Sequence, residues 1–276
     1  MELQLTHQQL QGFTTHLKEN EKKFSPMIEQ YLQIKEQNKD SILFFRLGDF
    51  YEMFNEDAKL AARELDLTLT TRDRGKPKEE QTPMCGVPYH SVDSYIARLV
   101  QKGYKVAICE QMTDPATTKG LVERDITRIV TPGTVTESCM LEESRNNYMG
   151  CLYGEGGRIG LAFCDVSTGA FFATVCADAA AAASELGRFS PSEVLRFGSS
   201  AHEDVIEDAL FHRLSCCVDE GREEQFQKAA AEQLLEHHFG KSLSELGLTG
   251  LPEAIIASGS LLQTLLENDF SRKDCV

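Results

Sequence analysis

Apolar and polar positions along this chain switch between a helical period and a strand period, and the switches mark its elements. Ser25-Pro26 has the form of an N-cap with Pro at the first helical position and predicts a helix to about Gln37. Ile42 to Leu47 is a short apolar run dense in strand formers, closed by Gly48-Asp49. Asn55 to Leu65 predicts a helix whose apolar positions are Ala58, Leu60, Ala61, Ala62 and Leu65. Leu67 to Thr71 alternates as a strand does, and Arg72 to Gln81 is polar and charge-rich, which predicts a mobile loop. Ser91 to Lys102 predicts a helix with Ile96, Leu99 and Val100 inward and Gly103 as its stop. Lys105 to Cys109 and Ile126 to Val130 complete a small mixed sheet, so the first half reads as α/β.

The second half opens with strands at Tyr148–Tyr153, Ile159–Val166 and Ala170–Val175, the last two joined by Ser167-Thr168-Gly169 as in a meander. Helices are predicted at about Asp178–Arg188, Ala201–Leu210, Glu223–His238 and Pro252–Leu266, with a short strand at Glu193–Phe197. The second half is therefore α/β as well. The turn-rich stretch from Thr131-Pro132-Gly133-Thr134 to Arg145-Asn146-Asn147 predicts a linker. The expected organisation is a domain at 1–131, a linker at 132–146 and a domain at 147–276. A length of 276 residues gives each half enough chain to bury its own core.

Composition changes this picture in two places. Nine cysteines, an odd number with no C-x-x-C spacing, suggest reduced thiols in a cytoplasmic compartment. No apolar run approaches the roughly 18 residues of a membrane span, and the polar start is unlike a signal peptide. A formal charge of −15 argues, taken whole, against a nucleic-acid partner. Divided at Thr131, the argument weakens. Residues 1–131 hold 18 Lys/Arg and 20 Asp/Glu, a net of −2, whereas 132–276 hold 10 and 23, a net of −13. Within the first half, Lys59 to Lys78 carries a local net of +3. Such asymmetry suggests separate tasks for the two halves.

Five aromatics stand within eleven residues: Phe44, Phe45, Phe50, Tyr51 and Phe54. Phe44 and Phe45 lie inside the apolar run and read as core. Phe50 follows the Gly48-Asp49 turn, and in an extended segment it projects from the same side as Glu52. A ring beside a carboxylate is poor core design and suggests a surface role, with plain core packing as the competing reading. Other candidates are weaker. Gly240-Lys241-Ser242 resembles the tail of a phosphate-binding loop, but Leu235 occupies the position of the required glycine. Gly154 to Gly160 lacks the dinucleotide spacing and sits between strands, as a hairpin loop does. His237-His238 point apart on a helix, and Cys216-Cys217 suits buried packing better than metal ligation. Asp165, at a strand end, is the one carboxylate to suspect in a metal-dependent nuclease, although two-metal chemistry needs further convergent carboxylates.

The string from Phe44 to Phe54, FFRLGDFYEMF, closely resembles the mismatch-recognition signature of the bacterial MutS family. Leu67 to Arg72 is similar to the strand after that family's first helix, and Pro83 to His90 to its next turn. Val106 to Gln111, Asp114-Pro115-Ala116, Val122-Glu123-Arg124 and Arg128 to Thr134 are similar to the segments leading into its linker. Asp165 to Gly169 and Ser190 to Glu193 resemble its connector domain. The resemblance runs from about Pro26 onward, which leaves residues 1–24 as a possible N-terminal arm.

The resemblance implies a mixed-sheet α/β recognition domain followed by a connector of ribonuclease H-like fold without its activity. Phe50 would insert as a wedge at a mispair from the minor groove, and Glu52 would hydrogen-bond the displaced base. An apolar wedge unstacks a base step at a cost of a few kcal/mol and kinks the duplex. A mispaired step has already lost pairing and stacking, so deformability is what is read. Arg72, Arg74, Lys76 and Lys78 would make phosphate contacts, with a solvated loop charge as the alternative for each. His90 is a further candidate for DNA contact, while Tyr89 suits turn packing. The family's ATPase, with its ATP and Mg, and its dimer interface lie in domains that 276 residues cannot hold. The expectation is therefore a monomeric fragment that catalyses nothing and binds no metal or cofactor of its own, with mismatched duplex DNA as ligand. A MutL-type partner would dock on the acidic connector. The rival readings are a ribonuclease H-like nuclease using Asp165 and a protein–protein adaptor without DNA recognition.

Overall fold

A computed structural model of the chain describes residues 24–75, 77, 81–113, 118, 120–136, 141, 145–198 and 203–269. Lys76, Lys78, the Asp114-Pro115-Ala116 segment, most of the proposed arm and the expected helix start at Ala201 lie outside these.

The first sheet is built from β1 (Ser41–Leu47), β2 (Phe50–Phe54), β3 (Thr70–Thr71), β4 (Pro83–Pro88), β5 (Lys105–Gln111) and β6 (Arg124–Val130). Its order is β3-β4-β2-β1-β5-β6, with β1 and β5 parallel and the other pairs antiparallel. Helix α1 (Pro26–Gln37) covers one face, burying Met27 and Tyr31 against Leu43, Phe45, Phe54 and Cys109. Helices α2 (Asn55–Leu65) and α3 (Val92–Val100) cover the other, over Ile42, Phe44, Met53, Val87 and Val106. Buried Asp57 ties the layers together. It accepts from Tyr31 Oη at 2.9 Å and the Leu43 N–H at 3.0 Å, and pairs with Lys35 at 2.9 Å. Burial with bonded partners makes such a carboxylate an anchor instead of a liability.

The second sheet comprises β7 (Tyr148–Glu155), β8 (Arg158–Asp165), β9 (Ala170–Cys176), β10 (Glu193–Gly198) and β11 (Cys217–Glu220), ordered β11-β10-β7-β8-β9. The pairs β7–β8 and β8–β9 are antiparallel, while β7–β10 and β10–β11 are parallel. That order and those directions are the ribonuclease H arrangement. Helix α4 (Ala179–Phe189), α5 (Glu203–Glu207) and a π-helical stretch (Asp208–Arg213) pack on one face over Leu161, Phe163 and Val194. Helix α7 (Pro252–Asn268) crosses the other, and α6 (Lys228–Phe239) packs on α7. Gly160 makes the first contact possible, since a Cβ there would stand 2.1 Å from the Glu253 carbonyl oxygen.

Several expected elements differ. Pro83–Pro88, read as a turn, is a strand, with a 3-10 turn at Tyr89–Ser91. Strand β3 covers only its first two residues, so the rest of β4 has an open edge where the missing N–H of Pro88 breaks no ladder. The expected strand at Leu67–Thr71 pairs only at Thr70 and Thr71. The helix expected at Glu223–His238 is broken at Gln227, which is extended (φ −89°, ψ 117°). Phe226 turns inward there to stack on Tyr153 and Phe197. Strand β11 was not anticipated. Ser25 caps α1 by its backbone geometry, with no hydrogen bond from its side chain.

The stretch expected as a linker begins with a clamped turn. Glu193, at the start of β10 and 1% exposed, accepts from the Thr131 hydroxyl and, at 2.9 Å, from the Gly133 N–H. Lys105 pairs with Asp219 beside it. A Cβ on Gly133 would lie 2.8 Å from Met149 Cβ, so the turn fits against β7 only as glycine. Burial pushes the Glu193 carboxyl up to about 7, against the opposing pull of the Thr131 and Gly133 hydrogen bonds.

Candidate nucleic-acid interface

The β1–β2 hairpin turns on Gly48 and Asp49, and Gly48 takes φ +57°, a conformation that suits glycine. Its register places Leu47 opposite Phe50 and Phe45 opposite Glu52. On the other side of β2, Phe50 faces Pro88 and Glu52 faces Gly86. Phe50, Glu52 and Phe54 thus share the sheet face that α1 covers. Tyr31 of α1 meets the rings of Phe45 and Phe54 at 5.5 and 5.0 Å. Phe50, at the far end of the strand, is 47% exposed.

Glu52 is half-buried, with its side chain 21% exposed. Its Oε2 is buried and has no hydrogen-bond partner. Arg72 Nη1 stands 3.8 Å from that oxygen, close enough for charge attraction and too far for a hydrogen bond. Burial pushes the Glu52 carboxyl above its ordinary range, and Arg72 opposes the shift. The Arg72 N–H donates to the Thr82 carbonyl at 3.2 Å, extending the β3–β4 ladder by one bond. Arg74 donates to Thr70 Oγ1 at 3.0 Å. Thr70 faces Met84, and Met84 faces Phe54, so the basic residues after β3 emerge on the same face as Phe50 and Glu52.

His90 is exposed and meets the Tyr89 ring edge-on at 5.9 Å. Tyr89 is 44% exposed. Its ring lies 4.0 Å from the Arg46 guanidinium, and its N–H donates to the Asp49 carbonyl at 2.9 Å. Arg46, Gly86 and Glu110 were not singled out in the sequence. Arg46 lies in an apolar run, where an isolated charge is the signal to ask what it pairs with.

Asp165, the candidate metal ligand, is buried at the end of β8 with its carboxylate occupied. Oδ1 accepts from Ser167 N and Oγ at 3.0 and 2.6 Å and from Thr168 N at 3.3 Å, and Oδ2 accepts from Asn146 Nδ2 at 2.8 Å. Burial pushes its pKa up, but the bonds from Ser167, Asn146 and Thr168 outweigh it and leave the carboxyl below its usual range. This is how a turn-capping aspartate is built. Among the described residues, no three His, Cys, Asp or Glu side chains gather as a metal-binding group.

Comparison with known proteins places both halves of the chain. Residues 25–139 match the family model of MutS domain I, and residues 147–267 match that of MutS domain II. The DNA mismatch repair protein MutS of Acetivibrio thermocellus is 48% identical over 244 residues, covering 87% of this chain and 28% of that protein. MutS of Caldanaerobacter subterraneus is 44% identical over 250 residues, 88% of this chain and 28% of its own length. MutS of Clostridium tetani is 56% identical over 174 residues, 63% of this chain and 20% of its own length. The chain spans between a fifth and three tenths of these relatives. With domain I matched over residues 25–139, domain II over 147–267 and a MutS relative 48% identical across 87% of this chain, the chain belongs to the MutS family and carries its domains I and II.

Proposed function

We propose that this chain recognises mispaired or unpaired bases in duplex DNA, as part of mismatch repair. The observation that carries the reading is the pairing on one sheet face of an exposed ring, Phe50, with a carboxylate oxygen of Glu52 that has no hydrogen-bond partner. Phe50 enters the minor groove and unstacks one step, a deformation costing a few kcal/mol that is cheapest where pairing is already lost. Glu52 then accepts an N–H from the displaced base, which an intact pair does not offer. Its negative charge opposes entry into a perfect duplex, so it discriminates partly by repulsion. Arg72 and Arg74 hold the backbone beside the wedge, and His90 contacts it from the turn after β4. These contacts set position and salt dependence, not the choice of site.

The second unit, with its acidic excess, acts as connector and docks a MutL-type partner through a complementary basic surface. ATP hydrolysis and dimerisation belong to the remainder of the full-length family. This chain works as a cytoplasmic binding module without catalysis of its own. The four hydrogen bonds that Asp165 accepts weigh against the nuclease reading.

The test compares Phe50→Ala with the parent chain on two labelled duplexes differing by one G·T pair. Preference for the mispaired duplex collapses in the variant, while weak, salt-sensitive duplex binding survives. Equal discrimination by both proteins would rule out the wedge.

A further inference from the structure

Phe50 projects from one face of the β1–β2 hairpin, and a cluster of four side chains grips the reverse face directly behind it. Arg46 and Tyr51 are cross-strand partners on that face. The Arg46 guanidinium lies 4.0 Å from the Tyr89 ring centre and 5.3 Å from that of Tyr51. Its Nη1 is 3.7 Å from Glu110 Oε1 on β5, and the Tyr51 hydroxyl donates to that same oxygen. Arg46 Nε donates to the Gly48 carbonyl inside the turn. The Arg46 carbonyl accepts from Arg124 Nε at 2.8 Å. The side chain is only 18% exposed. One guanidinium thus joins the hairpin turn, β2, β5 and the 3-10 turn after β4, using its planar fork and its face at once.

From this geometry we infer that Arg46 is a positioning residue for mispair recognition: it braces the hairpin from behind so that Phe50 meets the duplex at a fixed angle. The inference rests on the wedge reading above. A wedge must push against stacked bases, and a hairpin tip free to swing loses the insertion in its own motion. A tip already held in place loses less freedom on binding, which favours the complex without any new contact to DNA. Arg46 faces away from Phe50, so it does this without touching the inserted base.

The experiment is a double-mutant cycle on the whole chain, read by fluorescence anisotropy with matched and G·T duplexes over a range of salt. Arg46→Met lowers the preference for the G·T duplex five- to tenfold and leaves matched-duplex affinity and its salt dependence unchanged. In a Phe50→Ala background the same substitution has no further effect. Arg46→Lys, which keeps the charge near Glu110 but not the flat stack, recovers less than half of the loss. Tyr89→Leu, which removes the stack from the exposed side, acts in the same direction as Arg46→Met and serves where that variant folds poorly. Equal loss on both duplexes, a shallower salt dependence and full rescue by lysine would make Arg46 a phosphate contact and overturn the brace. Effects of Arg46→Met that add to those of Phe50→Ala would overturn it too. Full preference retained in Phe50→Ala alone would instead overturn the wedge.

Discussion

Glu52 stands directly opposite Gly86 across the β2–β4 pair, and no side chain faces its carboxylate from that strand. A Cβ at residue 86 would come within 3.2 Å of the Tyr51 carbonyl oxygen and 3.4 Å of Glu52 Cγ. Gly86→Ala is therefore expected to lower stability slightly and Gly86→Val by about 1–3 kcal/mol, the ordinary range for overpacking. Urea unfolding checks this order. In DNA binding, the valine variant loses mispair preference more than total affinity, because the side chain displaced is that of Glu52.

Glu52 also makes stability depend on pH. Its carboxyl is raised by burial, so the folded state holds a proton that the unfolded chain releases earlier. The native state is thus favoured at low pH and loses that advantage as pH rises through the raised value. Glu52→Gln is expected to raise the urea midpoint at pH 8 and to leave it unchanged at pH 4. The gain stays below about 1 kcal/mol, because the side chain retains some solvent and Arg72 compensates part of the charge.

Glu193 gives a larger effect of the same sign. With a carboxyl near 7 when folded and an ordinary value of 4.5, its contribution is complete below about pH 4.5 and lost as pH rises through 7. The shift corresponds to roughly 3 kcal/mol. Glu193→Gln retains an oxygen for Thr131 and Gly133 and removes the charge, so it flattens the stability curve between pH 5 and 8. Glu193→Leu leaves the Gly133 N–H without its acceptor and destabilises by about 2–3 kcal/mol at pH 5, a deficit that shrinks toward pH 8 as the parent loses its own pH-linked stability. Chemical denaturation of the whole chain at pH 5, 6, 7 and 8 distinguishes these outcomes.

Asp165 runs the other way. Hydrogen bonds hold its carboxyl below the usual range, so its contribution is present at neutral pH and fades as pH falls through the lowered value. Asp165→Asn turns an NH₂ toward either Asn146 or the Ser167 donors and is expected to cost about 1–3 kcal/mol at pH 7. A nuclease ligand would behave differently: the neutral amide relieves charge repulsion in a metal-free site, and stability rises.

The hairpin and the shared face of Phe50 and Glu52 were legible in the sequence because they rest on local signals. Gly48-Asp49 ends an apolar run, and the two-residue spacing of Phe50 and Glu52 needs only an extended backbone to put them on one side. Strand β4 was not legible as a strand, since Pro83 and Pro88 read as breakers until the two-residue length of β3 shows that one edge is open. Strand β11 is four residues with two carboxylates, and it exists because β10 pairs with it and Lys105 meets Asp219. Arg46 was invisible for a similar reason. Its partners Glu110 and Tyr89 lie far along the chain, and no spacing rule connects them.

The clamp on the Thr131–Thr134 turn bears on how this molecule can be taken apart. A cut placed after residue 146 looks natural on the sequence, since it falls in polar chain before β7. It would remove the hydroxyl and the amide that hold Glu193, together with Lys105, the counter-charge of Asp219. The second piece would then carry an ionisable group newly opened to water at the head of β10, an interior strand of its sheet. Weak binding by such a piece would report damage at the cut before it reported anything about a partner. A dissection that keeps residues 131–134 with the second unit preserves the hydroxyl and the amide, and with them the setting of a buried carboxylate that both halves share.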